Sequence, residues 1–275
     1  MIKKKKLVSI LVDNFNKERF VSRCLDSLLV QNFKNFEVIF VDDRSTDNSI
    51  DIAKEYKGKL DIKIIQTSKK SKYGCYNQMN CFLEAFKKSS GEIILFLDSD
   101  DFFHKKKICN IVKFFKISKN FNKNIIFDLP YIYYSSTNIK EFKIRNKYSN
   151  TTWPHFPPQS CISMRRDFLR KIFPKIFFKK FYNIAFDFRL AFYSYFISKN
   201  FEILEKRLTY YFVDPTGISS QFRYLSFKWW ERRLEAYNFY NYMYKKFSLK
   251  FLITFDYILT RIVVKFFYFK NKIIS

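Results

Sequence analysis

Gly91-Glu92-Ile93-Ile94-Leu95-Phe96-Leu97-Asp98-Ser99-Asp100-Asp101 is the stretch that decides the fold. Its unbroken apolar run, Ile93 to Leu97, opens after a glycine and closes in acid, which suits a strand buried on both faces of a parallel sheet. Upstream the same kind of unit recurs. Leu7 to Val12, Phe36 to Val41 and Asp61 to Gln66 read as strands, and Phe20, Val21, Cys24, Leu25, Leu28 and Leu29 fall on one helical stripe between the first two. Ser45 to Asn48 supplies cap-type residues for a helix over Ile50 to Tyr56, and a helix beginning near Gln78 and ending at Lys88 leads into the quoted strand. Strand alternating with helix implies an α/β fold: a Rossmann-like, mostly parallel, doubly wound sheet flanked by helices.

Composition narrows the chemistry. The chain has 275 residues, a formal net charge of +26, 48% hydrophobic and 21% aromatic residues, which is ample for a buried core. Gly58, Gly74, Gly91 and Gly217 are its only glycines and stand far apart, so no G-x-x-x-x-G-K or G-x-G-x-x-G phosphate loop can be written. His104 and His155, the only imidazoles, lie in no H-E-x-x-H context, which argues against a His-ligated zinc or a His-centred relay. Any metal must be held by oxygen. Cys24, Cys75, Cys81, Cys109 and Cys161 form no C-x-x-C and read as reduced thiols of a cytoplasmic protein. Lys3 to Lys6 resemble the start of a signal peptide, but the apolar run behind them stops at Asp13 and is too short.

Residues 1–120 carry 24 basic and 15 acidic side chains, and residues 121–275 carry 27 and 10, so most of the positive surplus sits in the second half. Two explanations stand: compositional drift in a chain where Lys outnumbers Arg 38 to 13, or an anionic partner such as phospholipid headgroups, nucleic acid or a phosphorylated substrate. All six prolines fall between Pro130 and Pro215, so the composition shifts near residue 125, and from Gln221 the pattern becomes long, helical and aromatic. Asp256, Arg261 and Lys265 interrupt the apolar tail Phe251 to Phe269, which argues against a membrane span. Lys250, Arg261 and Lys265 fall together on a helical wheel while Asp256 and Lys270 fall on the other side, an incomplete amphipathicity that fits either a helix lying on a membrane surface or one packed on the domain.

In an open parallel sheet the ligand sits beyond the carboxyl ends of the strands. Here three strands end in acid: Asp13-Asn14, Asp42-Asp43 and Asp98-Ser99-Asp100-Asp101. Gathering these carboxylates at one edge is electrostatically costly and is tolerated where a cation or a donor-rich ligand binds. The D-x-D pattern offers one carboxylate to Mn²⁺ or Mg²⁺ and a second to water or a sugar hydroxyl, and such an ion neutralises a departing diphosphate.

Val8 to Asn16, Cys24-Leu25-Asp26-Ser27-Leu28, Val41 to Asp47 and Gly91 to Asp101 together resemble, in order, the successive signatures of family 2 glycosyltransferases with the GT-A fold, of the kind that build bacterial surface polysaccharides. The resemblance covers about the first 105 residues. It implies a catalytic domain over 1–220, divided into a nucleotide-sugar-binding half (1–125) and an acceptor-side half (126–220), with a helical extension over 221–275. It also implies that Asp13, Asn14, Phe15, Asp42 and Asp43 hold the base and ribose of a nucleotide-sugar, UDP-linked. Asp98 and Asp100 would bind Mn²⁺ or Mg²⁺, with Asp98 and Ser99 against the donor. Asp187 would be the general base of an inverting displacement, or else a helix-surface acid paired with Arg189. Gln78 and Asn80 would line the donor pocket, or else cap a helix start. The acceptor would be a glycan or a lipid-linked sugar, met in the cytoplasm or peripherally at the anionic inner face of the cytoplasmic membrane.

The sequence departs from the family pattern at Asp13, where Pro is usual, and at Arg44, where Gly is usual; Arg44 would supply a cation to a phosphate or pair with Asp43 or Asp47. Asp214 to Ser219 lacks the His often found there, and no Gln-x-x-Arg-Trp occurs, so the resemblance implies a non-processive enzyme. Rival readings are a catalytically inactive glycosyltransferase-like partner and a basic nucleic-acid-binding protein. The latter fits poorly with an acid-lined edge that repels phosphate, so nucleic acid is not an expected partner.

Overall fold

The computed structural model describes residues 6–68, 71–117, 122–143, 156–250 and 253–274, with side chains described up to residue 269; Lys3 to Lys5, His155, Phe251 and the side chain of Lys270 lie outside the described residues. Strands β1 (Val8–Asn14), β2 (Phe36–Asp42), β3 (Ile62–Gln66) and β4 (Ile93–Asp98) pair in parallel in the order β3-β2-β1-β4. Three of them run past the apolar stretches, because Asp13, Asn14, Asp42 and Asp98 stay in the ladder as its last rungs, with Asp13 level with both Val41 and Asp98. Alternation along each strand feeds two cores. Ile10 and Val12 pack toward α1 (Glu18–Leu29), α2 (Ser49–Lys54) and α4 (Lys107–Lys116) through Val21, Leu25, Ala53 and Ile108. Leu11 packs on the opposite face, toward Met79 and Phe82 of α3 (Gly74–Lys88).

The second half extends this same sheet. β8 (Ile162–Arg165) runs antiparallel to β4, β6 (Ile125–Ser135) antiparallel to β8, and β9 (Phe201–Phe212) parallel to β6, while the short β5 (Phe102–Phe103) and β7 (Asn138–Glu141) finish the edges. Helices α5 (Arg166–Ile176), α6 (Phe186–Phe192) and α7 (Phe227–Lys246) cover the α3 side. A glycine is required where the chain enters β4. A Cβ on Gly91 would lie 2.5 Å from Ser9 N and Val8 C, and the Gly91 N–H donates to Ser9 Oγ at 2.7 Å. The five cysteines are unpaired.

α7 is capped by Ser226, whose Oγ accepts from Trp229 N at 3.2 Å, and it inserts Ala236, Phe239, Tyr240 and Met243 into the core. α8 (Phe255–Ile274) rests on α7, where Asp256 accepts from Arg233 and Tyr237, and Tyr268 donates to Glu231 at 2.5 Å. Among the described residues no helix is long and apolar enough to cross a membrane.

One ion pair locks the second half against the first. Lys107 of α4 is fully buried and its ammonium spends all three protons, on Asp128 Oδ1 (2.7 Å), Ser160 O (2.6 Å) and Thr209 Oγ1 (2.6 Å), while the Thr209 hydroxyl donates to Asp128 Oδ2 at 2.7 Å. α4, β6, β9 and the turn Gln159–Cys161 meet there. A lone buried carboxylate is far costlier than a satisfied pair. Lys107→Met is therefore expected to lose about 3–5 kcal/mol in urea unfolding, and Lys107→Met with Asp128→Leu to regain much of it.

Candidate active site

The carboxyl ends of β1, β2 and β4 are tied by backbone hydrogen bonds, Asp43 N to Asn14 O (2.7 Å) and Ser99 N to Asp13 O (3.1 Å). Asp42 and Asp43 then diverge, since successive strand side chains point to opposite faces. Asp42 is buried and collects Asn14 Nδ2 (2.7 Å), Ser45 N (2.8 Å) and Ser45 Oγ (2.5 Å), so it braces the two loops that follow the strands. Asp43 instead faces a cavity of about 550 Å³ and accepts from Thr67 Oγ1 at 3.1 Å.

Of the residues singled out from the sequence, Asp13, Asn14, Phe15, Asp43, Gln78, Asp98, Ser99, Asp100 and Asp187 line this cavity. Asp42, Arg44 and Asn80 do not. Arg44 is exposed and sits in the left-handed region, φ 60°, which accounts for the glycine usual at that place in the family. α3 begins at Gly74, earlier than expected, because Asn77 accepts from Ser71 N (2.9 Å) and Ser71 Oγ (2.8 Å) and ties down the segment before it. Its cavity face is built on Gly74, Asn77, Gln78 and Cys81, spaced at i, i+3, i+4 and i+7, with Cys75 beside them, which turns Asn80 away. Asp187 does not pair with Arg189. The Arg189 guanidinium is buried and donates to the carbonyls of Ile176 (2.8 Å), Lys180 (2.9 Å), Phe181 (2.6 Å) and Ile184 (3.1 Å), fixing the loop that delivers Asp187.

Lys17, Gln159 and Arg232 line the cavity without any signal in the local pattern, and Asp214, which begins the stretch lacking the family's usual His, joins them. Gln159 Nε2 donates to Asp98 Oδ1 at 2.8 Å, and Gln78 Nε2 approaches the same oxygen at 3.4 Å. Ser160 accepts the Asp98 N–H at 3.0 Å and donates to Asp101 Oδ2 at 2.5 Å, and Asp101 Oδ1 accepts from Phe212 N at 2.7 Å. Asp101 is thus satisfied by the protein, although it lies close enough to Asp98 and Asp100 to share an ion with them. Lys17 Nζ bridges Asp100, at 2.7 Å, and Asp214.

Burial, then the neighbouring carboxylates, push Asp13 well above the ordinary carboxylate range; burial and the Asp100 charge push Asp98 to about 7. Burial also raises Asp187, against the nearby Arg232 cation, giving a more basic carboxylate than an exposed one. Among the described residues Asp13 Oδ1, Asn14 Oδ1 and Gln159 Oε1 are buried acceptors that meet no hydrogen-bond donor. Orphaned acceptors among crowded acids fit a cation or a hydroxyl-rich ligand, and the donor set, all oxygen, fits Mn²⁺ or Mg²⁺.

A mostly parallel sheet with an acid-lined cavity at its carboxyl edge is the GT-A arrangement, and the solved structures agree. Staphylococcus aureus TarS, residues 1–349 in complex with UDP-GlcNAc, superposes with a TM-score of 0.62 at 21% identity, over 84% of this chain and 66% of that one. A mannosyltransferase from Pyrobaculum calidifontis in complex with GDP-Man and Mn²⁺ gives 0.57 at 12% identity, over 86% and 64%. The sequence profile of glycosyl transferase family 2 matches residues 9–173, more than half of the chain, and the chain belongs to that family. An uncharacterized glycosyltransferase of Nostoc sp. is 28% identical over 61% of this chain and 53% of its own length. The Escherichia coli UDP-Glc:alpha-D-GlcNAc-diphosphoundecaprenol beta-1,3-glucosyltransferase WfaP is 36% identical over 42% and 43%. The chain thus spans about half the length of these relatives.

The raised carboxyls carry a pH signature. Asp13 and Asp98 hold their protons more tightly in the folded chain than in the unfolded one, so stability declines as pH rises from the unfolded value, near 4, through the folded value of Asp98, about 7. The melting temperature of the metal-free protein is expected to fall between pH 4.5 and 7.5, and Asp98→Asn to flatten that fall; a rise over this interval would contradict the carboxylate crowding.

Proposed function

We propose that the chain is a metal-dependent, inverting, non-processive glycosyltransferase that moves one sugar from a UDP-linked donor to a glycan or lipid-linked acceptor of bacterial surface polysaccharide. One observation carries the reading: Asp13, Asp43, Asp98 and Asp100, from three strand ends, share a cavity with Asp187, contributed by a helix of the second half. The UDP-GlcNAc bound by TarS and the diphosphoundecaprenol acceptor of WfaP support the donor and acceptor classes.

Asn14, Phe15 and Asp43 bind the base and ribose, with Gln78 and Ser99 along the donor. Asp98 and Asp100 would hold Mn²⁺ or Mg²⁺, which supplies positive charge to the departing diphosphate. Asp187 accepts the proton of the acceptor hydroxyl; the oxygen then bonds to the anomeric carbon as the bond to the phosphate oxygen breaks, inverting the centre. Calorimetry with UDP and Mn²⁺ tests the reading. Metal-dependent UDP binding is expected, lost in Asp98→Ala and Asp100→Ala. Asp187→Asn is expected to keep donor affinity and lose about 10²- to 10⁴-fold in kcat. Binding without turnover of any UDP-, GDP- or dTDP-sugar would favour the inactive-partner reading.

The reading extends to peripheral attachment at the anionic inner face of the cytoplasmic membrane, supported by the outer face of α8. Phe255, Ile258, Leu259, Ile262, Phe266 and Phe269 are 39–80% exposed. At 3.6 residues per turn they fall within an arc of about 100°. Thr260 and Val264, on the other side, are buried. Arg261 and Lys265 border the exposed stripe, and residues 221–275 carry 11 basic against 3 acidic side chains, which complements anionic headgroups. In vesicle flotation the protein is expected to float with anionic and not with neutral vesicles, and Ile262→Ser with Phe266→Ser to stay at the bottom. Concentration-dependent dimerisation without flotation would assign the stripe to a second copy instead.

A further inference from the structure

Asp100 follows β4, Asp214 follows β9, and one ammonium, that of Lys17 at the start of α1, bridges them. All three side chains are largely shielded, with exposures of 18% for Lys17, 16% for Asp100 and 9% for Asp214. The other acids nearby are committed differently. Asp101 has both oxygens satisfied by Ser160 and the Phe212 N–H, and Asp98 Oδ1 takes the Gln159 amide. Asp214 Oδ1 is fixed by Thr216 N (2.8 Å) and Thr216 Oγ1 (2.7 Å), which leaves its Oδ2 turned to the ammonium. The residues that bring this carboxylate to the cavity also close part of its rim, since Ile218 packs against Gly74, where a Cβ would stand 3.1 Å from Ile218 Cγ1.

A cation therefore already stands between two carboxylates, Asp100 and the Asp214 oxygen that Thr216 does not take. We propose that Lys17 is a resident counter-ion that competes with the divalent metal for Asp100 and Asp214, so that the metal binds by displacing the ammonium and Asp214 joins Asp98 and Asp100 as a ligand. This rests on the metal-dependent reading above. Lys17 then sets the metal affinity: with the ammonium in place the acids are partly neutralised and the Asp214 loop is held to the cavity without metal. Two positive ions cannot share one pair of carboxylates without repulsion, whereas a neutral side chain at position 17 would leave the pair open.

The test is Mn²⁺ binding by the full chain, read by calorimetry and by the paramagnetic resonance of free Mn²⁺, with and without UDP. Lys17→Met is expected to bind Mn²⁺ roughly tenfold more tightly than the natural protein, a shift of about 1.4 kcal/mol. Its melting temperature should be lower without metal and should rise more on adding Mn²⁺. Lys17→Gln guards against poor folding of the first variant and is expected to behave alike, Lys17→Arg to retain natural-like affinity, and Asp214→Asn to weaken binding. Affinity unchanged or reduced in both neutral variants, or unaffected by Asp214→Asn, would overturn the counter-ion while leaving the metal-dependent reading intact. No Mn²⁺ binding by any form, with or without UDP, would overturn both.

Discussion

The carboxyl edge of the parallel strands is held together against its own charge. Asp13 and Asp98 are neighbours in the ladder, Asp100 and Asp101 follow within three residues, and burial makes their mutual repulsion worse by removing water. Much of the surrounding structure offsets that repulsion. Gln159 and Gln78 give amide protons to Asp98, Ser160 and a backbone N–H satisfy Asp101, and Lys17 lies between Asp100 and Asp214.

Gln78 and Lys17 belong to the first half, but Gln159, Ser160, the Phe212 N–H and Asp214 come from the second, so the edge is complete only because the two halves share one sheet. The junction is the buried pair of Lys107 and Asp128. Lys107 also holds the carbonyl of Ser160, whose hydroxyl reaches both Asp98 N and Asp101. A single buried ammonium on α4 thus transmits the packing of β6 and β9 to the D-x-D segment. Arg189 does the same beside α6, gathering four carbonyls from the end of α5 and the loop that follows it and so fixing the approach of Asp187 to the cavity. In both cases a cation is spent on architecture and a carboxylate is left for the cavity.

The C-terminal helices explain a contradiction on the helical wheel. α8 looks incompletely amphipathic because it has two apolar faces, one against α7 around Thr260 and Val264, and one exposed from Phe255 to Phe269. A wheel drawn from sequence adds the two faces together and blurs both.

Over the first hundred residues the sequence by itself determined the order of strands and helices, the parallel pairing and the acids at the sheet edge; the antiparallel strands of the second half left no such pattern. Buried strands and amphipathic helices write their periods into consecutive residues, and a D-x-D after an apolar run is local by nature. Only the tertiary structure decided which acids face the cavity. Asp43 does and Asp42 does not, because neighbouring strand residues point oppositely, and Asn77 and Gln78 do while Asn80 does not, because α3 starts at Gly74. Nor does any pattern in the chain announce that Lys17 meets Asp214, that Gln159 meets Asp98, or that Arg189 turns away from Asp187 into the core. Those pairings join residues far apart in sequence, or depend on which face of a short helix is buried. They are fixed by the sheet order and by the demand that every buried charge find a partner, a constraint the folded chain imposes and a local stretch of residues does not carry.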